Sequence, residues 1–141
     1  MAGKVISLHT KIKHGEPMQP AISLEAESGM GIIGDVSYGR AKRQVLFIEI
    51  ETLDEFSLPP GQVRENVTVS GIKLAGLAPG SHLQVGDALF EVVGDCAPCQ
   101  QIEDIRTGLR EEIDGRRGTL CRVVNGGSLR EGDQIALVEA S

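Results

Sequence analysis

Residues 83–93 read LQVGDALFEVV, and residues 129–138 read LREGDQIALV, which is a near-copy of the same pattern. Each copy has a leucine, two further residues, the pair Gly-Asp, one residue and then Leu or Ile. The Gly-Asp pair favours a tight turn, and the apolar residues after it favour a strand. Two such units in one chain predict a barrel of short strands. The alternative is two unrelated turns of similar sequence.

The composition agrees with a mostly β protein of the α+β class. The 141 residues include 18 glycines and are 40% hydrophobic, but only 3% are aromatic. This many glycines favours tight turns over long helices, and the core must be built from Val, Ile, Leu and Ala. The length suits one ordinary domain, which we predict over residues 1–141.

The charge of the chain limits the partners that it can bind. The formal net charge is −6, which argues against nucleic acid and against an anionic membrane surface, since both require a basic face. A local basic pocket for a small anion is compatible with this charge. No apolar stretch has the length of a membrane span, and Met1 to Lys11 lacks the pattern of a secretion signal. We therefore expect a cytoplasmic protein with free cysteines.

Strands and helices can be predicted over several further segments. Strands are predicted over Lys4–His9, Ala21–Ala26 and Gln44–Ile50, and a short helix within Glu51–Phe56. A longer helix is predicted over 100–113. Its apolar residues recur every three or four positions and form one stripe, which is typical of a packing face; they are Ile102, Ile105, Leu109 and Ile113.

The glycine motif of residues 29–34, GMGIIG, matches the dinucleotide-binding pattern in letters only. That motif requires a helix that begins at the glycines, because the helix N-terminus holds the pyrophosphate. Here the residues DVSYG follow, which predict a loop. The sequence therefore does not support nucleotide binding at this motif.

The pair Cys96-Ala97-Pro98-Cys99 lies between a predicted strand and the predicted helix. A thiol at a helix N-terminus is stabilised as the thiolate, and Cys99 is the residue nearest to that terminus. Four interpretations stay open: a redox pair, half of a zinc site, a single reactive thiolate at Cys99 and two inert cysteines. No second CxxC motif or histidine pair completes a zinc site. Cys121 lies in an alternating strand and is predicted to be core.

Polar residues that suit an anionic or heterocyclic ligand flank two predicted loops. Arg64 and Asn66 open a strand after a Pro-Pro-Gly turn, and Arg40, Lys42 and Arg43 form a basic cluster. Arginine presents a planar fork of donors to phosphate, and asparagine both donates and accepts. The alternative for each arginine is a solvated charge or an ion pair.

Three blocks taken in order resemble the MOSC family, the domain found at the C-terminus of molybdenum-cofactor sulfurases. The first is GIIGD at 31–35 followed by RQVL at 43–46, and the second is RENVTV at 64–69 running to LQVGDAL at 83–89. The third is CAPC at 96–99, closing with 118–124 and Gly132-Asp133. The chain departs from the family at 36–39, VSYG, where many members carry a histidine.

The resemblance implies a β-barrel-like fold and one functional cysteine, which corresponds to Cys99. It implies that Cys99 ligates molybdenum or carries sulfur. Arg64, Asn66, Arg43 and Asp35 would then bind the molybdopterin. A cysteine desulfurase or a molybdoenzyme is the implied protein partner. Pyridoxal phosphate would enter only through a separate sulfurase, for whose domain this sequence has no room.

Two other functions stay open beside molybdenum-cofactor binding. One is a thiol redox or persulfide carrier that uses Cys96 and Cys99 without molybdenum. The other is a non-catalytic binding module. Whether the protein is an enzyme, as a molybdenum-dependent oxidoreductase or a sulfur-transfer protein, is not decided by the sequence. The resemblance alone ranks cofactor binding first.

Overall fold

The computed structural model describes residues 2–138 and contains eleven strands and three short helices. The first strands are β1 (Ala2–Thr10), β2 (Gln19–Ala21), β3 (Ser23–Glu27), β4 (Gly31–Ile32), β5 (Val45–Glu49) and β6 (Val67–Ser70). The later strands are β7 (His82–Val85), β8 (Ala88–Asp95), β9 (Thr119–Asn125), β10 (Gly127–Arg130) and β11 (Gln134–Val138). The helices are α1 (Ile50–Glu55), α2 (Gln100–Ile105) and α3 (Leu109–Glu112).

Seven of the strands close into a barrel. Their order is β11-β7-β8-β9-β5-β6-β1, and β1 pairs back to β11. Strand β2 extends this sheet beyond β1, while β10, β3 and β4 form a separate three-stranded sheet. Strands β5 and β6 run parallel, whereas β5 and β9 run antiparallel. The predicted mostly-β barrel is therefore confirmed.

The two Gly-Asp units meet where β11 pairs with β7 in the barrel wall, but they are built differently. The first is a hairpin, in which β7 pairs with β8 across the Gly86-Asp87 turn. The second is not a hairpin. Its β10 belongs to the small sheet, and its β11 pairs with β7, with Leu137 opposite Leu83. The two units are thus similar turns in different settings, because the strand before the second turn pairs with β3, while the predicted barrel of short strands is present.

Alternation along β5 separates the barrel interior from its outer face. Val45 and Phe47 point into the barrel, where the rings of Phe47 and Phe90 meet edge to face at 5.1 Å between centroids. Leu46 and Ile48 belong to two smaller clusters outside the barrel. The outer face of β5 is therefore also covered, and this explains why β5 reads as a continuous apolar run.

The predicted helix over 100–113 is two short helices, so its predicted length was wrong. The chain leaves helical geometry at Arg106, and Gly108 adopts a positive φ of 89°. This is a conformation that glycine reaches without a steric penalty. The apolar stripe is nevertheless a packing face, since Ile102, Leu109 and Ile113 are buried in one outer cluster.

Two other segments refine the strand prediction. The strand predicted over Ala21–Ala26 is split between β2 and β3 at Ile22, which is 88% exposed. Residues 33–39 form turns instead of a helix, which agrees with the rejection of the nucleotide motif. Among residues 2–138, no helix combines the length and the apolar character required to cross a membrane.

Candidate functional site

A cavity of about 170 Å³ lies on the outer side of the barrel, against Val45 and Leu46 of β5 and Leu120 of β9. We call it the cation cavity, because five basic side chains and one acidic side chain line it; they are Lys11, Arg40, Arg43, Arg64, Arg117 and Asp35. Both cysteines of the CxxC motif line it as well. This density of positive charge in a chain of net charge −6 makes the cavity a local attractor for anions.

Arg117 is the most deeply buried cation of this cavity. Only 5% of the residue is exposed, and its Nε and Nη1 atoms have no hydrogen-bond partner in the part of the chain that the structure describes. A buried guanidinium without partners is costly, since both the charge and its N–H donors have left water. Because Arg117 also lines the cation cavity, an anion there would offset its buried charge.

Arg64 is held in an unusual backbone conformation at the mouth of the cation cavity. Its φ of 65° lies in the left-handed region, which a residue other than glycine seldom adopts. The Nη1 atom donates a hydrogen bond to the Glu16 carbonyl at 3.1 Å, which ties the side chain to the loop before β2. Local backbone strain of this kind persists only where the surrounding structure imposes it, and it concentrates at functional sites.

Asn66 and Asp35 form the polar support under the cavity. The Asn66 amide nitrogen donates to the His9 carbonyl at 3.2 Å and to Asp35 Oδ1 at 3.0 Å, and its Oδ1 accepts from the Leu46 amide. Asp35 also accepts from the Lys11 amide at 2.7 Å. These bonds join β1, β5, β6 and the loop after β4. Direct contact of Asn66 and Asp35 with a cofactor stays a prediction.

Because Asn66 makes three buried hydrogen bonds, Asn66→Ala should lower the free energy of unfolding by about 2–4 kcal/mol. The substitution leaves the buried Leu46 N–H without its acceptor and the Asp35 carboxylate without one of its donors. Urea denaturation of wild type and variant measures the difference. The control is Asn125→Ala at the exposed end of β9, and an equally small effect of both substitutions would contradict the supporting role.

Lys11 has an altered acidity within this group of cations. Its half-buried position, followed by the positive charge of Arg64, lowers the pKa of Lys11 below the ordinary 10.5. Arg117 and Arg40 act in the same direction, and Asp35 opposes them. The protonated lysine is therefore less favourable in the folded protein than in the unfolded chain, which binds the proton more tightly.

The sign of this shift predicts the pH dependence of the Lys11 contribution. Below the lowered pKa the charged lysine destabilises the fold, and the penalty is relieved as the pH rises through that pKa towards 10.5. Lys11→Met should therefore be more stable than wild type at neutral pH, by a margin that shrinks as the pH rises. Urea denaturation across pH 7 to 10.5 tests this, with exposed Lys4→Met as the control. A constant margin would contradict the assignment.

The two cysteines reach the cavity in different ways. Cys96 is 7% exposed, its amide donates to the Gly118 carbonyl at 2.8 Å, and Arg43 Nη2 lies 4.0 Å from its sulfur. Cys99 is half-buried and caps α2 without a side-chain hydrogen bond. Its sulfur therefore has no capping bond to break before it binds a ligand. Cys121 is fully buried inside the barrel, as predicted.

The structure thus brings together all five residues predicted for the site, Cys99, Arg64, Asn66, Arg43 and Asp35, in the lining of one cavity. Sequence reasoning missed Lys11 and Arg117. The sequence feature that could have pointed to Arg117 is the adjacent Gly118. A Cβ at this position would lie 2.7 Å from a Leu46 methyl group, so the backbone passes close to β5 there. That close approach of β9 to β5 carries Arg117 to the cavity.

The described structure has no site at which protein side chains alone could hold a metal ion. Within residues 2–138, no three His, Cys, Asp or Glu side chains come together as a possible metal centre. The cavity offers thiols, cations and one carboxylate instead. Its chemistry therefore fits an anionic ligand, and it places thiols beside the cations.

The fold and the site thus define a class of protein. It is a small barrel with a cavity outside its wall that is lined by basic side chains and thiols. The chain belongs to the MOSC domain family, whose family model matches residues 14–136. No curated protein matches the chain.

Solved structures support the same fold. The chain is similar to the YuaD protein from Bacillus subtilis, with a TM-score of 0.86 and 23% identity over 100% of this chain and 98% of that one. It is also similar to YiiM from Geobacillus stearothermophilus, with a TM-score of 0.76 and 19% identity over 97% and 75% of the two chains. YiiM from Escherichia coli matches with a TM-score of 0.72 and 19% identity, over 100% and 71%.

Proposed function

We propose that this protein binds the molybdenum cofactor in the cation cavity and that the Cys99 thiolate ligates the metal. The observation that carries the proposal is a cavity lined both by a half-buried thiol and by a buried guanidinium whose Nε and Nη1 are unpartnered among residues 2–138. Membership of the MOSC family, which is associated with the molybdenum cofactor, supports the same ligand.

The basic residues fit the anionic part of such a cofactor. A molybdopterin carries a phosphate, and guanidinium groups bind phosphate oxygens through paired, charge-assisted hydrogen bonds. Arg117 offers buried donors, and Arg64 and Arg43 offer donors at the opening. Binding would offset the mutual repulsion of the five cations, Arg117 included. Cofactor binding in the cavity should therefore also stabilise the folded protein.

Cys99 fits the role of metal ligand better than Cys96. Thiolate is the form that binds a soft metal, and metal binding releases the thiol proton. Cys99 is half-buried, whereas Cys96 is buried beside Leu46 and Leu120. When bound, the cofactor supplies a redox-active metal. The chain's own residues would bind its anionic group and provide one thiolate.

The cysteine pair supports a second candidate, a persulfide carrier without molybdenum. Cys96 and Cys99 line one cavity, and Arg43 Nη2 lies within 4.0 Å of the Cys96 sulfur. In this role the Cys99 thiolate attacks the outer sulfur of a donor persulfide. The new S–S bond forms as the donor thiolate leaves, and a cysteine desulfurase is the class of protein that supplies such a persulfide. Pyridoxal phosphate would belong to that partner.

Metal and pterin analysis tests the lead proposal. The protein is purified from a host that makes the molybdenum cofactor and from an otherwise identical host that does not. We expect molybdenum and pterin in equal amounts in the first preparation and neither in the second. A folded protein without molybdenum from both hosts, carrying a persulfide on Cys99, would support the carrier instead.

A further inference from the structure

Arg64 is placed by the short segment from Gly61 to Glu65. Within this segment Gly61 has a φ of 90° and Arg64 a φ of 65°. Glycine reaches such values without a steric penalty, whereas an arginine with this φ is strained. The surrounding structure must therefore impose the backbone conformation of Arg64.

Glu65 closes this segment on itself. Its Oε2 accepts a hydrogen bond from the Gly61 amide at 2.8 Å, and the Arg64 amide donates to the Gly61 carbonyl at 3.0 Å. The Thr68 hydroxyl donates to the same Glu65 oxygen at 2.7 Å, which ties the segment to β6. Both backbone groups of Gly61 are therefore bonded within the segment, and the segment is bonded to the barrel.

Arg64 lies between two buried neighbours. Val63 and Glu65 are both fully buried, and Val63 belongs to the apolar cluster outside the barrel. Arg64 itself is half-buried and lines the cation cavity. Its positive charge is one of those that lower the pKa of Lys11, so its guanidinium lies near the other cations. Because its neighbours are held on both sides, Arg64 cannot turn away unless one of them is released.

The hydrogen bonds of Glu65 all serve this segment and its link to β6. Its Oε1 is buried and has no hydrogen-bond partner within the described range 2–138, so the carboxyl group is kept in the interior at a cost. Glu65 does not line the cation cavity. It can therefore affect an anion there only through Arg64 or through its own charge.

We infer that Glu65 is a positioning residue that holds Arg64 at the anion site of the cation cavity. The inference rests on the proposed function, and it adds a residue that does not touch the ligand. An arginine that is fixed before binding loses less conformational entropy when it binds an anion. The affinity for an anion should therefore depend on Glu65 for as long as Arg64 is present.

A double-mutant cycle with inorganic phosphate, measured by calorimetry on the cofactor-free protein, tests this dependence. Glu65→Ala and Arg64→Met should each weaken phosphate affinity about tenfold, the value of about one hydrogen bond to a charged group. In protein that already carries Arg64→Met, Glu65→Ala should cause no further loss, because Glu65 acts through Arg64. Losses that add, or a wild type that does not bind phosphate, would overturn the inference.

A purely electrostatic role of Glu65 would have the opposite sign. Removal of a negative charge beside a basic cavity strengthens anion binding, so a higher phosphate affinity in Glu65→Gln would overturn the inference. We expect an affinity between those of wild type and Glu65→Ala, since glutamine keeps one acceptor oxygen.

The matched control for these variants is Glu103→Ala. Glu103 also accepts two backbone amides, those of Gly108 at 2.8 Å and Arg110 at 3.2 Å, but it does not line the cation cavity. Its loss should leave phosphate affinity unchanged. An equal loss of affinity in Glu103→Ala and Glu65→Ala would mean that Glu65 acts only through general stability, which would overturn the positioning role.

Hydrogen exchange in wild-type protein gives a second test, which does not depend on the folding of a variant. Coupling between Arg64 and the turn is reciprocal, so saturating phosphate should slow exchange of the Gly61 amide. The Gly71 amide, which Glu51 Oε2 accepts at 3.0 Å, is the control and should exchange at an unchanged rate. An unchanged rate at Gly61 would overturn the inference.

Molybdenum analysis separates failure of this inference from failure of the proposed function. Molybdenum in the wild type, together with additive phosphate losses at Arg64 and Glu65, would reject the positioning role alone. Absence of molybdenum, together with coupled losses at the two residues, would reject the cofactor and support the positioning role for another anion.

Discussion

Cys99→Ser protein purified from a cofactor-producing host is expected to contain about tenfold less molybdenum than wild type, or less still. The reason is the loss of the thiolate that ligates the metal. Removal of even an outer contact at a metal site typically costs 10- to 100-fold in affinity, and removal of a ligand should cost no less. Elemental analysis per mole of folded protein measures the effect.

Two cysteine variants serve as controls for this experiment. Cys121 lies inside the barrel, where burial raises the pKa of its thiol, so Cys121→Ala should retain its molybdenum. Cys96→Ser should retain most of its molybdenum if Cys99 is the ligand. Equal molybdenum in wild type and Cys99→Ser would remove the ligand role, and equal losses at Cys96 and Cys99 would mean that the metal depends on both thiols.

Arg117→Met is expected to change stability and binding in opposite directions. The methionine fills similar space without a charge, so the cofactor-free protein should gain about 1–3 kcal/mol in free energy of unfolding. The same substitution removes buried charge-assisted hydrogen bonds. The affinity for inorganic phosphate, measured by calorimetry, should therefore fall about ten- to hundredfold.

The neighbouring arginine provides a matched control. Arg116 lies outside the cavity, where it pairs with Glu55 at 2.8 Å and stacks over the Phe56 ring at 4.9 Å. Arg116→Met should leave phosphate binding unchanged and cost little stability, since exposed ion pairs contribute about 0–1 kcal/mol. A loss of stability in Arg117→Met, with phosphate affinity intact, would mean that Arg117 is a structural residue.

Local sequence patterns predict those parts of the barrel in which a strand pairs with the next strand along the chain. The Gly86-Asp87 turn joins two strands that are adjacent in sequence, so its hairpin follows from the turn chemistry. The second unit, around Gly132-Asp133, carries the same letters, but its preceding strand pairs with β3, about a hundred residues earlier. Long-range pairing of this kind leaves no local signal. The same sequence pattern therefore produced two different structures.

The packing face of the helical segment after the cysteines was predicted correctly, but the length of the helix was not. Apolar spacing correctly identifies Ile102 and Leu109 as buried, because the stripe depends on periodicity. The break at Gly108 follows from its positive φ, and a single glycine in a helical pattern does not reveal its conformation. Since α2 has six residues, its dipole contributes less than expected at Cys99, and five basic side chains line the same cavity as this cysteine.

The site residues divide according to how they reach the cavity. Arg64 and Asn66 were identified because they follow a recognisable turn and resemble a family motif. Lys11 follows β1 and Arg117 precedes β9, and the two residues meet because β6 and β5 join these strands in one sheet. Adjacent arginines 116 and 117 look equivalent in sequence, and one is paired on the surface while the other is buried. That distinction depends on the close packing at Gly118 against Leu46.

X-ray absorption at the molybdenum edge tests the central claim most directly, since it counts the atoms bound to the metal. Loaded wild-type protein is expected to have one more sulfur neighbour at molybdenum than the same cofactor free in solution or in Cys99→Ser. An identical sulfur shell in all three samples would contradict ligation by Cys99.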